Sequence, residues 1–393
     1  MSPSLSPDPK NDNLYKRLGL KDNVPSEQIR KAFFEVVKIF PPEKDKENYI
    51  LIREAFDTLK NPTSRNEYDT KNQFGPELER LEKLLIDHED AKDLASQIMT
   101  IKKILNFAPN LGFYRNKLGL AFMEKEQFGY AFQQFNKAYL TDESNSVYIL
   151  NMGHAQEAKD NYLEAEKLFQ EAWNLDLEDY SPPRALASLY FHKLEQKRKA
   201  HNILEKAIEA DGVLDFQDFF CIFDKISYYV LENNKTGLRR EMSRVEEIAI
   251  NDKEKDFAGY MLGMHGSQLN GYKIFDIAVE FLKTAHLLIP DNEALKDEYL
   301  RAEENTAIMD GFQKLQKNKN IHEFVKYMLA NMMYYYYGEI EGPKWDEKRQ
   351  EMLDAQRNVM DRDPDNEEVK KSLRIIRDQY PKVFDTQHRI FTS

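Results

Sequence analysis

The sequence predicts an all-α protein in which a short helical-hairpin domain precedes an elongated α-solenoid. Three observations carry that expectation. Of 393 residues only 15 are glycine, while Leu, Ala, Glu, Lys and Gln are plentiful and runs of Val and Ile are few, so the intrinsic preference is helical nearly throughout. A pattern of small and aromatic residues returns every 34 positions in the middle of the chain, the mark of a repeat architecture. Before residue 75 that pattern is replaced by a different one, and the length is ample for one domain attached to an array.

The repeat is read position by position. Leu118-Gly119 returns as Met152-Gly153, Phe128 as Tyr162, Ala131 as Ala165, Phe135 as Phe169 and Ala138 as Ala172. A further step gives Leu186-Ala187 and Tyr190, then Leu204 and Ala207 after a one-residue insertion. Gly119 and Gly153 are expected where two antiparallel helices approach closely, with Ala131 and Ala165 opening the second helix to its partner and Phe135 and Phe169 filling the space between neighbouring hairpins. One such hairpin cannot bury its apolar stripe alone, so the units must stack. This set of positions at this period resembles the tetratricopeptide repeat.

The pattern weakens on both sides. Upstream, "SQIMTIKKILNFAPN" ends on Pro109-Asn110, so residues 76–109 read as a degenerate opening hairpin. Residues 214–250 read as an irregular helical pair whose positions do not align with the repeat. Residues 255–292 supply Leu262-Gly263, Ala278, Leu282, Ala285 and Pro290 at the family spacing, and 293–380 hold degenerate helical repeats closed by a capping helix, "EEVKKSLRIIRDQY".

Ahead of the array, residues 1–11 read as a disordered lead and 12–70 as a separate domain. Leu14, Tyr15 and Leu18 make a short amphipathic turn, and Ser26-Glu27 starts a helix with Ile29, Ala32, Phe33, Val36 and Val37 on one face. Tyr49, Ile52, Phe56 and Leu59 form the matching stripe of an antiparallel helix, followed by Asn61-Pro62. The segments "LYKRLGL", "IRKAFFEVVKIF" and "YILIREAFDTLKNPTSRNEYD", with their spacing, resemble the J domain over residues 13–69.

That resemblance implies a docking loop, His-Pro-Asp in the family, which together with a basic face of the preceding helix engages a DnaK-type chaperone and triggers ATP hydrolysis. Here Pro41, Pro42 and Glu43 take the three places and Lys44 follows. Pro41 can donate no hydrogen bond, so whatever the histidine contacts is lost, and Glu43 keeps the charge on a longer arm. The plainer reading is that the two prolines only end a helix and stiffen a turn. Of the basic face Arg30, Lys31 and Lys38 remain, whereas Phe34 and Glu35 stand where basic residues are usual, and Glu35 opposes an acidic docking surface.

Composition excludes several functions. With 68 acidic against 56 basic residues the net charge is −12, which argues against binding nucleic acid through phosphates. The single cysteine, Cys221 in "FFCIF", excludes an intrachain disulfide and reads as a buried thiol of a reducing compartment. The first residues lack the basic start and apolar core of a secretory signal, and no stretch reaches the roughly 18 apolar residues of a membrane span, so a cytoplasmic location is expected. Asp361, Asp363 and Asp365 begin like a calcium loop, but Asn366 replaces the glycine and Ser372 the bidentate glutamate. Gly259, Gly263, Gly266 and Gly271 lack a preceding strand and suit close helix packing and a turn. The eight histidines show no metal spacing, and no Ser, His and Asp set stands out. No catalytic residue, metal or cofactor is expected.

Binding remains. In stacked hairpins of the resembled type the first helix of each unit lines a groove, which places Asn116, Leu120, Met123 and Glu124, then Leu150, Asn151, His154 and Glu157, then Arg184, Ser188 and His192 inward. Some members of that family grip a carboxylate-ended chaperone tail with a Lys/Asn/Asn/Lys/Arg clamp. Only Asn151 matches, while Leu120, Ser181 and Ala185 occupy other clamp places. In "IHEFVKYMLANMMYYYYGEI" an apolar stripe leaves Tyr327 and Tyr334 toward other faces, as candidates for an interface. The expected role is a protein-interaction adaptor or scaffold; the alternatives are a co-chaperone delivering clients to a DnaK-type ATPase and a self-associating assembly component.

Overall fold

The computed structural model describes residues 6–22, 24–323, 325, 326, 328–330 and 367–385. Among them all regular structure is helical. The chain divides into two compact units, Met1–Asp211 and Gly212–Ser393.

The first unit opens with α1 (Leu14–Arg17), α2 (Ser26–Ile39) and α3 (Lys46–Lys60). Asn13 caps α1 by accepting from the Tyr15 and Lys16 amides, and Asp45 caps α3 through the Asn48 amide. The amphipathic stripes of α2 and α3 meet in a core of Leu14, Tyr15, Leu18, Ile29, Phe33, Val36, Ile52, Ala55 and Leu59. Phe33 stacks on Phe56 with ring centroids 4.0 Å apart. Residues 8–11, expected in a disordered lead, are instead tied to this core. Asp8 N donates to Lys16 O at 3.1 Å, Pro9 is buried and Arg17 Nε donates to Asn11 O at 2.8 Å. Three local bonds outweigh the polar composition that suggested a free tail.

Asn61 caps α4 (Pro62–Asp90), with Pro62 in the first turn where its missing N–H costs nothing. This helix belongs to both parts of the unit. Its first half closes the N-terminal domain, where Tyr15 Oη donates to Asp69 at 2.8 Å, Arg65 Nε donates to Tyr15 Oη at 2.8 Å and Tyr68 Oη accepts from Leu14 N. Burial, then the bond to Asp69, pushes the Tyr15 phenol up to about 12. Phe74 departs from helical geometry (φ −124°) two residues before Pro76, whose ring and missing N–H bend the helix there. The second half then pairs with α5 (Leu94–Phe107) as the first hairpin. Two further bonds hold the N-terminal domain to the array: Thr63 Oγ1 to Thr141 O and Asn66 Nδ2 to Asn110 O, both 3.0 Å.

The array continues in this unit as α6 (Gly112–Glu124) with α7 (Phe128–Tyr139), α8 (Ser146–Glu157) with α9 (Tyr162–Leu175), and α10 (Ser181–Ser188) with α11 (Lys197–Ile208). A π turn, Leu189–Lys193, extends α10. Gly119 and Gly153 are buried, and a β-carbon on either would collide with the ring of Phe135 or Phe169. Each phenylalanine therefore sits against the glycine of its own hairpin, a closer relation than the inter-hairpin filling the period suggests.

In the second unit α12 (Phe219–Leu231) pairs with α13 (Lys235–Ile248) and α14 (Asp252–Gly271) with α15 (Phe275–Leu288), followed by α16 (Glu293–Lys317) and α17 (Glu367–Gln379). A capping box between Asn251 and Glu254 starts α14. Gly259, Gly263 and Gly266 pack against Ile289, Leu295 and Leu282. Helix α17 buries Val369 and Ile376 in a core with Leu315 and Ile321, and its Ser372 Oγ accepts from His322 N at 2.9 Å.

One backbone feature runs through both units. Between the helices of successive hairpins stand Lys92, Glu126, Asp160, Glu195, Asn233 and Lys273, each with φ between 51° and 64°. A left-handed residue ends a helix and turns the chain back. The first three are 34 residues apart; the spacing then widens, but the device persists where the side-chain pattern fades.

Candidate functional site

Two surfaces were expected to act, and the first is the loop after α2. That helix ends with Phe40 N donating to Val36 O at 2.9 Å. Pro41 O then accepts from Lys44 N at 3.0 Å and Asp45 N at 2.9 Å, which closes a tight turn. Pro41 is half-buried, and Pro42, Glu43 and Lys44 face solvent. On the helix before it, Arg30, Lys31 and Lys38 are exposed. Lys31 Nζ lies 2.8 Å from Glu27, each group holding the other charged through their shared hydrogen bond. Part of the positive face is thereby neutralised, and Phe34, 56% exposed, stands among the remaining cations.

The second surface is built by the first helices of the hairpins. Asn151 Nδ2 on α8 donates to Asn116 Oδ1 on α6 at 2.8 Å, so these two expected groove residues meet each other. Leu120 and Glu124 are exposed and Met123 is half-buried. Leu150 is only 8% exposed, so its side chain is part of the core and not of the groove; helix α8 buries a wider arc than its neighbours because packing covers it on two sides. The His154 ring packs edge-on against Phe169 at 4.9 Å, with Nδ1 3.5 Å from Glu157. Arg184 and Ser188 are half-buried on α10, and His192 is exposed in the π turn against Phe191. Tyr327 and Tyr334, and the Asp361, Asp363 and Asp365 run, lie outside the described residues.

Several contacts on these faces escape sequence reading. Lys117 Nζ meets Glu89 at 2.6 Å, and Tyr114 Oη donates to Glu82, so α6 is tied to α4 by two polar bridges. Burial and the bond to Glu82 raise the Tyr114 phenol well above its ordinary value. Phe113 and Val147 are exposed at equivalent places 34 residues apart, and the same period that fixed Gly119 and Gly153 could have placed them. Among the described residues no group of His, Cys, Asp or Glu is arranged to hold a metal, and no helix is long and apolar enough to cross a membrane.

Comparison with known proteins agrees with the first part of the chain. The family model of the DnaJ domain matches residues 13–69. Residues 13–69 are thus a DnaJ-type domain, and the hairpins that follow carry the tetratricopeptide period. No curated protein matches the chain. Among solved structures, a tetratricopeptide repeat protein from Parabacteroides merdae is 12% identical, covering 71% of this chain and 98% of its own, with a TM-score of 0.40. MamA is 19% identical over 41% of this chain and 94% of its own, TM-score 0.34, and PilF of Pseudomonas aeruginosa 14% identical over 57% and 96%, TM-score 0.36.

Proposed function

We propose that the protein is an interaction adaptor: the hairpin groove holds a partner protein, and the DnaJ-type domain is a second docking surface that does not drive ATP hydrolysis. The observation that carries this reading is the turn at Pro41. Its first residue offers no donor, its carbonyl is occupied by the Lys44 and Asp45 amides, and Glu43 projects into solvent on a longer arm than aspartate. Phe34, Glu35 and the Lys31–Glu27 pair weaken the positive face beside it. The groove itself supports binding over catalysis, being lined by amides, exposed apolar groups and internally paired charges. A cytoplasmic location suits such a role.

The test is single-turnover ATP hydrolysis by a DnaK-type chaperone with the purified chain added. We expect no acceleration. A several-fold stimulation abolished by Glu43→Ala would overturn the reading in favour of a co-chaperone that delivers clients.

A further inference from the structure

A second channel lies away from the expected groove, along α5, α6 and α7. A cleft of about 640 Å³ runs past Lys102, Phe122, Tyr130 and Gln134 to Arg115, and a second of about 460 Å³ continues from Arg115 to Lys137 and the start of α4. Its chemistry is unlike that of the rest of the surface. The chain carries a net charge of −12, yet both clefts are lined by cations and by no carboxylate. Elsewhere in this unit Lys117 and Lys199 have acidic partners at 2.6 and 3.1 Å; Lys102, Arg115 and Lys137 have none.

Arg115 is the centre. It is half-buried, and it is oriented by two neutral acceptors, Pro109 O at 3.0 Å from Nε and Gln134 Oε1 at 3.1 Å from Nη1. Desolvation alone acts on it and lowers its proton affinity. A guanidinium held in place, partly stripped of water and lacking a counter-charge is disposed to take a carboxylate in two hydrogen bonds. Beside it Phe122 and Tyr130 present rings 5.6 Å apart, and Lys102 Nζ lies 5.6 Å from the Phe122 ring centre. Rings flanked by amides and cations suit a peptide with an apolar side chain between acidic ones.

We propose that this channel binds an extended acidic segment of another protein, with a carboxylate on Arg115, an aromatic or aliphatic side chain against Phe122 and Tyr130, and flanking acids toward Lys102 and Lys137. The opposite charge of channel and segment sets the partner class. The proposal stands independently of the groove and of the loop at Pro41.

The experiment is fluorescence anisotropy of the full chain with a labelled Glu- and Asp-rich peptide carrying one central Trp, beside the same peptide with Lys at every acid. The acidic peptide is expected to bind and weaken with added salt, and the basic one is not. Arg115→Gln should weaken binding about tenfold, the loss of one charge-assisted bidentate contact. Because Arg115 also braces Pro109 and Gln134, the exposed changes Tyr130→Ser and Lys137→Gln are measured in parallel, with helicity checked by circular dichroism. Severalfold weakening by these two sustains the proposal even where Arg115→Gln fails to fold. Absence of acidic-peptide binding overturns it, as does unchanged affinity in Tyr130→Ser and Lys137→Gln, or loss on Leu120→Ser alone, which would put the peptide in the groove. Sedimentation showing a dimer that Lys137→Gln dissociates would assign the channel to a second copy and overturn the choice of occupant.

Discussion

The hairpin α6–α7 and the hairpin α12–α13 reach the same shape by opposite arrangements. In the first, Gly119 on the leading helix admits the ring of Phe135 from the returning helix. In the second, Gly237 stands on the returning helix and faces the ring of Tyr229 from the leading one. Close approach needs one small residue and one flat one, and either helix can supply either. The second hairpin also replaces apolar filling with charge. Lys225 and Glu241, 2% and 0% exposed, pair at 3.0 Å, and Arg240 and Arg244 meet the same carboxylate at 2.7 and 3.0 Å.

The charge network gives the largest expected effect. Glu241→Leu removes the carboxylate common to Lys225, Arg240 and Arg244, and breaking a buried pair in this way costs about 3–5 kcal/mol. Lys225→Met should cost less, because Glu241 keeps two arginines. Hydrogen exchange with mass spectrometry, followed on peptides from α12 and α13, measures the loss where it occurs. If Glu241→Leu left protection unchanged, apolar packing would be sufficient there and the contrast between the hairpins would vanish.

This contrast also explains what was legible beforehand. The 34-residue period found Gly119, Ala131, Phe135 and their successors because each sits at a fixed distance from the next and each answers to one neighbour in its own hairpin. The stripes of α2 and α3, the buried Cys221 and the packing of Gly259, Gly263 and Gly266 were legible for the same local reason. In α12–α13 the roles of glycine and ring are exchanged, so a search by position finds nothing although the geometry persists. Lys225 and Glu241 are 16 residues apart, a spacing no helical or repeat period selects. Leu150 failed differently: its place on the first helix was right, but a second packing neighbour buries it. The channel at Arg115 was invisible because it joins α5, α6 and α7 through a backbone oxygen and an amide, groups that carry no charge pattern.

A middle-sized effect separates the two glycines. Gly119→Ala forces a β-carbon into the fully buried ring of Phe135, an overpacking that costs about 1–3 kcal/mol. Gly237→Ala meets Tyr229, but that ring is only half-buried and its hydroxyl is tethered at the surface to Arg240 at 2.7 Å. It can swing away, so the cost should be smaller. Denaturant titration read by exchange in each hairpin ranks the two, and a larger loss for Gly237→Ala would contradict the account of a rigid key in the first hairpin and a yielding one in the second.

The smallest expected effect is a gain and lies in the turns. Glu126 ends α6 with φ 57° and Asn233 ends α12 with φ 51°, so both hairpins turn on a left-handed residue. In that conformation a β-carbon crowds the following carbonyl, a penalty of roughly 1–2 kcal/mol for an ordinary side chain, whereas asparagine eases it by local hydrogen bonding. Glycine escapes the penalty but loses more backbone freedom on folding, a cost of roughly 0.5–1 kcal/mol. For Glu126→Gly the difference favours the variant, by about 0.5–1 kcal/mol. For Asn233→Gly the two nearly cancel. Slower exchange at the end of α6 in the first variant, with no change at the end of α12 in the second, is the expected pair of results. Equal gains in both would mean that Asn233 is as strained as Glu126, and that the divergent hairpin has kept the turn without easing it.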